Sequence, residues 1–459
     1  MRRTACVLCL ALVPGLLAYD GQAFAQETSS GNVLPRIEQG SAAQNAARRK
    51  ILFAKMMVEP ANLEIAFEYA SLSAQAGDLE SAISTLERML IFAPDEPRLQ
   101  LELGVLYYRL GSYEVARNYL NAALKAPNIP ISVKTRVDSY LAEIRDRTAI
   151  DRFNGAVVFG ARFQSNANGG TRNDTLNLGW FNPPLPDDAK ADSDFNAFML
   201  GNFLYSHDLA SQGDRFDVQL LTYGTLYGEH HEINTALAEL TFGPVFSLDR
   251  FDLDHTDFGI YGILGGVTLS GDPYQLSGGG GVMLDKAFTR DTRARLQVEY
   301  RHQDYRDSEL RPTASDRTGD DIRVVGSLSH QLTDRLAVFA SVEGERQYAR
   351  QDYASNRQIG AIIGGTYLLD PPIGEGSQPW TVGLSFGAID WRFDGPDPTM
   401  FTTTDDRHDA EAFVQGSLTI PLRSNWSVQT VLGYRNVRSN DEINAFDDVS
   451  VSLGLMKSF

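Results

Sequence analysis

Charged and polar side chains share one parity in two stretches of this 459-residue chain. Arg293, Arg295, Gln297, Glu299 and Arg301 make one run; Arg335, Ser341, Glu343 and Glu345 make a looser second. Residues two apart on an extended strand share a face. Arg295, Glu299, Arg301, Glu343 and Glu345 would therefore line one surface. Ala294, Leu296, Val298 and Tyr300, and Leu336, Val338, Ala340 and Val342, would line the opposite one, with Ala337 and Phe339 as exceptions on the polar side. In a wet interior such charges either neutralise one another in ladders or line a path for a polar or unfolded client.

Other candidates are weaker. His230-His231, flanked by Glu229 and Glu232, is the best metal-ligand cluster, but neighbours on a strand end point to opposite faces and chelate poorly. Gly278 to Gly281 is not followed by Lys-Ser/Thr and so is no phosphate loop. Four such glycines permit a bend, a close backbone approach or a weakened gate. Arg306 to Thr318 lacks calcium-loop spacing. No Ser/His/Asp set and no carboxylate pair can be argued from spacing, so the chain is read as a non-enzyme without cofactor or metal. Strand residues far apart in sequence can still meet, which keeps a barrel-embedded hydrolase as the catalytic alternative. A net charge of −18 argues against a nucleic-acid partner.

The elements that must hold these residues begin at Asp151, where the apolar period becomes two. Trp426, Val428, Thr430, Leu432 and Tyr434 oppose Ser427, Gln429, Gly433 and Arg435, with Val431 as the exception. In Val449–Phe459 the residues Val449, Val451, Leu453, Leu455 and Phe459 oppose Ser450, Ser452, Gly454, Met456 and Ser458. A soluble sandwich would show the same alternation strand by strand. Many such strands without helices, closing on Phe459, resemble bacterial outer-membrane β-barrels, in which a terminal Phe is the signal read by the barrel-assembly machinery. No apolar window is long enough for a membrane-spanning helix, so only a closed barrel could hold this chain in lipid.

The connections support this reading. Short turns around 210–213, 248–250, 289–291, 333–334 and 423–424 alternate with polar loops around 228–232, 306–318, 394–406 and 439–448. Periplasmic turns and extracellular loops alternate in this way. Asp370 to Pro379 is a long connection on the short-turn side. Alternating segments number fifteen, of which Thr175 to Phe181 is the weakest. Assigning it to one excursion from Ser165 to Ser193 leaves fourteen strands for residues 151–459.

Residues 41–150 repeat at an interval of 34: Gly77 and Gly111, Ala82 and Ala116, Leu86 and Leu120, Tyr69 and Leu103, Pro60 and Pro94. That interval is the tetratricopeptide (TPR) signature. Gly77 and Gly111 would end the first helix of each unit, and Asp78 and Ser112 would cap the second. A closing helix from Ser132 to Asp146 would present Val133, Val137, Tyr140, Leu141 and Ile144. The array either offers a groove to a partner or braces the barrel. Tyr107 occupies a core position, which leaves Tyr108 as the docking residue. Residues 26–40 read as a flexible leader. Met1-Arg2-Arg3, the apolar run to Ala18 and Ala23-Phe24-Ala25 read as a signal peptide over residues 1–25. That segment holds both cysteines, Cys6 and Cys9, so the remainder has no thiol chemistry.

The fold class is therefore α+β multidomain: a helical TPR-like array followed by an antiparallel transmembrane barrel of about fourteen strands. This arrangement resembles the surface lipoprotein assembly modifier (Slam) family. Asn166 and Asn168, in Arg162-Phe163-Gln164-Ser165-Asn166-Ala167-Asn168, resemble that family's Asn-x-Asn segment, with Gln164-Ser165 where acidic residues are common. The resemblance implies an outer-membrane translocator for lipoproteins or related secreted clients. Its array would lie in the periplasm and engage the client, while the barrel would meet outer-membrane lipid. The rival readings are an exopolysaccharide-export porin and a passive porin.

Overall fold

The computed structural model describes residues 42–125, 131–175, 181–209, 213–372, 378–396 and 405–459. The signal-peptide and leader expectations lie outside the described residues. The chain divides into two compact units between Ile150 and Asp151.

The first unit is six helices: α1 (Ala42–Val58), α2 (Leu63–Gln75), α3 (Leu79–Met89), α4 (Pro97–Arg109), α5 (Tyr113–Ala123) and α6 (Ile131–Thr148). The two repeat glycines end their helices in the left-handed region, with φ of +82° at Gly77 and +81° at Gly111. The amides of Asp78 and Ser112 reach back to Ser73 O and Tyr107 O, closing each helix with its own backbone. Asp78 also caps α3 through its side chain, accepting from Ser81 N at 3.1 Å. Ser112 makes no such bond at α5. Ala82 and Ala116 are fully buried where helices cross. Gly104 brings α4 against α5, since a Cβ there would lie 2.7 Å from Leu120 Cγ. One core joins α1 to α4 around Leu86, Leu99 and Leu103. A second joins α4 to α6 around Leu120, Val137 and Ile144.

The second unit is a closed antiparallel barrel of fourteen strands, each paired with its sequence neighbours and β1 closing on β14. The strands are β1 (Asp151–Gln164), β2 (Asp194–Asp208), β3 (Arg215–Tyr227), β4 (Thr235–Ser247), β5 (Thr256–Leu269), β6 (Asp272–Thr289) and β7 (Thr292–Tyr305). They continue as β8 (Gly319–Thr333), β9 (Leu336–Ala349), β10 (Asn356–Leu369), β11 (Trp380–Phe393), β12 (His408–Pro421), β13 (Trp426–Ser439) and β14 (Phe446–Ser458). Of the Thr175 to Phe181 segment, residues 176–180 lie outside the described residues. Thr175 makes an isolated bridge to Pro184, and among the described residues the excursion between β1 and β2 adds no strand to the barrel. The alternation of short turns and long loops has one further break. β5 and β6 are joined by Ser270-Gly271 alone, with both residues at positive φ, on the end of the barrel that otherwise carries the loops.

The barrel is apolar outside. Phe195, Leu226, Ile359, Ile363, Leu432 and Leu453 are among its exposed large side chains, each more than half exposed. Parity places the charged set inside. Val298 and Val324 pair on the outer face, so Glu299 and Arg323, one residue along, pair on the inner one. Aromatic clusters mark both ends of the outer wall: Phe163–Phe195 at 4.9 Å near the loops, and Phe153, Phe203 and Phe459 at 6.1 to 6.5 Å near the turns. An apolar exterior with flanking aromatics fits a bilayer, and backbone closure satisfies every internal strand edge there. No described helix is long and apolar enough to cross a membrane.

Candidate functional site

The inner wall from β4 to β9 holds most of the charged residues singled out above. Arg301 on β7 donates to Glu239 on β4 at 2.5 Å and to Glu299 at 2.8 Å. The bond to Glu239 crosses two intervening strands, and the glycines make this reach feasible. Gly265 on β5 and Gly279 on β6 form the floor: a Cβ at Gly265 would come within 3.7 Å of Glu239 Oε2. Ile263 lies on the same inner face and is almost wholly buried.

The tract Gly278 to Gly281 is therefore no weakened gate. It sits within unbroken ladders to β5 and β7, and the register shifts of β6 fall elsewhere, near Thr268 and Ala287. Its use is close approach. Gly281 seats the Tyr261 ring, which lies within 2.9 Å of where a Cβ would stand. From there the Tyr261 hydroxyl donates to Glu299 at 2.9 Å. The same device recurs on the inner wall where Phe339 lies over Gly364 and Phe413 over Gly387. Phe339, the apolar exception on the polar parity of β9, is explained by that seat.

The other inward charges also find partners. Arg323 donates to Glu343 at 2.6 Å, and Gln358 donates to the same carboxylate at 3.3 Å. Arg295 lies 2.8 Å from Asp285, which Arg293 also approaches at 2.8 Å. Glu345 hydrogen-bonds Asp321, which is almost wholly buried. Across the lumen, Arg435 binds Glu411 through two bonds of 2.7 Å. Sequence parity placed the five residues on one face. It could not find Glu239, Asp285 or Asp321, whose strands carry no comparable run of alternating charge.

Asn166 and Asn168 hold the long excursion in shape. The Asn166 amide donates to Gly170 O at 2.9 Å and to Asp447 O at 3.1 Å, and its oxygen accepts from Gly170 N. Asn168 donates to Lys190 O at 2.7 Å and accepts from Asp192 N at 3.1 Å. Asp448 accepts from Asn166 N, Ser165 Oγ and Gln164 Nε2. These bonds tie the excursion to the loop end of β14. His230 lies 3.2 Å from Glu232 and 3.4 Å from Asp192, and no metal-holding group of three ligands exists among the described residues. Phe459 N donates to Gly155 O at 2.9 Å, and its ring packs outside against Phe153 and Phe203.

In the array, Tyr108 directs its ring at Tyr113 and Tyr140 and its hydroxyl at Glu143. It is half-buried within the second core, so a partner would meet only part of it. Tyr107 stacks on Tyr119 and donates to Glu87 at 2.6 Å, which pushes its hydroxyl up to about 12. Glu102 on α4 is buried, and desolvation lifts its carboxyl to about 7 against the pull of Arg98 and Arg136.

The protein thus combines a tetratricopeptide-type array with a transmembrane β-barrel of the outer-membrane kind. The tetratricopeptide repeat family model matches residues 70–147. No curated protein matches the sequence significantly. Among solved structures, the array is similar to the type III secretion chaperone SycD of Yersinia enterocolitica, solved with a peptide of the translocator YopD. That likeness has 16% identity and a TM-score of 0.22, and covers 28% of this chain and 93% of that one. The barrel is similar to the anion-selective porin of Comamonas acidovorans, at 8% identity and a TM-score of 0.33, over 67% of this chain and 99% of that one. It is also similar to the outer membrane channel DcaP of Acinetobacter baumannii, at 12% and 0.34, over 67% and 97%. At such low scores the fold is established by the strand ladders and helix repeats themselves.

Proposed function

We propose that this protein is an outer-membrane translocator that delivers surface lipoproteins, or related secreted clients, to the cell surface. The observation that carries the reading is the joining of a peptide-docking type of repeat array to a charge-lined barrel, with only Ala149 and Ile150 between α6 and β1. On this reading the turn end of the barrel, where β1 starts, faces the periplasm. A client held by the array is then tethered to the barrel by the short connection, at a high effective concentration. The resemblance to the Slam family supports the same reading, although Asn166 and Asn168 serve the loop end of the barrel through backbone contacts. Barrel-assembly machinery would insert the chain, with Phe459 as its signal.

An exopolysaccharide-export porin is the second reading, favoured by the inward rings of Tyr261, Phe339 and Phe413, which are seated over glycines and bring aromatic surface to the wall that a sugar could meet. Deletion separates the two. Loss of a specific protein from the cell surface with polysaccharide secretion unchanged supports the translocator; the reverse result excludes it. Liposomes carrying the purified barrel test simple diffusion, because swelling in many small sugars would mark a passive porin.

A further inference from the structure

The inward charges are distributed unevenly along and around the lumen. Toward the turn end, three carboxylates and three guanidinia balance: Asp217, Asp257 and Asp285 against Arg215, Arg293 and Arg295, all in contact. Toward the loop end of the β4–β9 wall the balance fails. Among the described residues, the ion pairs of Glu239, Glu299, Asp321, Glu343 and Glu345 draw on Arg301 and Arg323 alone. Counting the hydrogen-bonded Asp321–Glu345 couple as a single negative charge still leaves four against two. Asp321 Oδ2 is buried without a hydrogen-bond partner, and the cations that act on Asp321 are the same Arg301 and Arg323. Arg435 and Arg407 are matched one to one by Glu411 and Asp409. β1 adds Arg162, which contacts the Tyr223 hydroxyl and the Phe198 ring, and Arg152 near the turns, where β2 adds Asp208; β2 and β14 add Asp194 and Asp448 near the loops.

We propose that the lumen conducts cations in preference to anions, with selectivity set at the loop-end half of the β4–β9 wall. Fixed charge on a low-dielectric wall concentrates counter-ions and repels co-ions, and water in the lumen screens it less than bulk solvent does. The five carboxyls are fixed in place by strands, the glycine-floored Arg301 bridge and Tyr261, so the field they create does not relax by side-chain rotation. The inference depends on the charge of the interior and not on the client. Failure of surface delivery in a deletion strain would leave it standing, and failure of selectivity would leave the translocator standing.

The test is reversal-potential measurement with the purified full-length chain in planar phosphatidylcholine bilayers under a tenfold KCl gradient. The expected potassium-to-chloride permeability ratio is about 3 or more. The double substitution Asp321→Asn, Glu345→Gln should move that ratio at least halfway toward one, with heat-modifiable gel migration reporting that the barrel is intact. A ratio of one or less, or an absence of conductance, in the unsubstituted chain overturns the proposal whether or not the variant folds. A folded variant with unchanged ratio also overturns the assignment to this wall.

Discussion

The two units obey opposite burial rules. In the helical array Leu86, Leu99, Leu103 and Leu120 are sealed inside, and the charges lie mostly outside. In the barrel Leu432 and Leu453 face outward while Glu299, Asp321 and Glu411 are buried in the interior. The first is held by removal of apolar surface from water, the second by closed strand ladders in a lipid solvent. The same side chain therefore has different consequences in each. Leucine is core in one unit and skin in the other.

Substitutions can sharpen or break this contrast. Leu86→Ala should destabilise the array by ~2–5 kcal/mol through the cavity it leaves, read as faster hydrogen exchange confined to residues 42–150. Loss spreading into the strands would show that the units are not independent. Leu453→Arg, in the middle of β14 on the lipid face, should cost ~2–4 kcal/mol of barrel stability. Its neighbour Ser452→Arg, facing the lumen, should cost far less in the same urea titration in micelles. Equal costs would mean that the exterior does not meet hydrocarbon.

Glu102 tests the array's interior by pH. Its carboxyl is raised in the fold to about 7 from an ordinary 4.5, so the folded array binds the proton more tightly than the unfolded chain. The stabilisation is complete below pH 4.5 and is lost as pH rises toward 7, a difference of up to ~3 kcal/mol. Glu102→Gln should flatten the array's melting temperature across that window; an unchanged slope would place the linkage elsewhere. The smallest effect concerns the caps. Asp78→Ala should cost ~1 kcal/mol because Ser81 N loses its acceptor. Ser112→Ala should cost close to nothing, although the two residues occupy equivalent repeat positions. Equal shifts in melting temperature would contradict the difference in capping.

Much of this was legible in local pattern. The 34-residue interval placed Gly77 and Gly111 at helix ends, where both adopt positive φ. Alternation placed Arg295, Glu299, Arg301, Glu343 and Glu345 on a common face, and the excursion between Gln164 and Asp194 left fourteen strands. The Ser270-Gly271 turn went unrecognised because loop length carries no label of side. Gly278 to Gly281 read equally well as bend, approach or gate, since glycine permits all three.

What the sequence by itself determined is which period each stretch follows and hence which side chains share a face, because helix and strand repeats are properties of neighbouring residues. Which charges meet was decided only by closure. Arg301 finds Glu239 at a separation of 62 residues. That partnership depends on strand register, on tilt around the barrel and on the bare backbone between them. Asn166 likewise acquires its role from the loop end of β14, at a separation of 281 residues. Parity is local, whereas partners are set by how the last strand returns to the first.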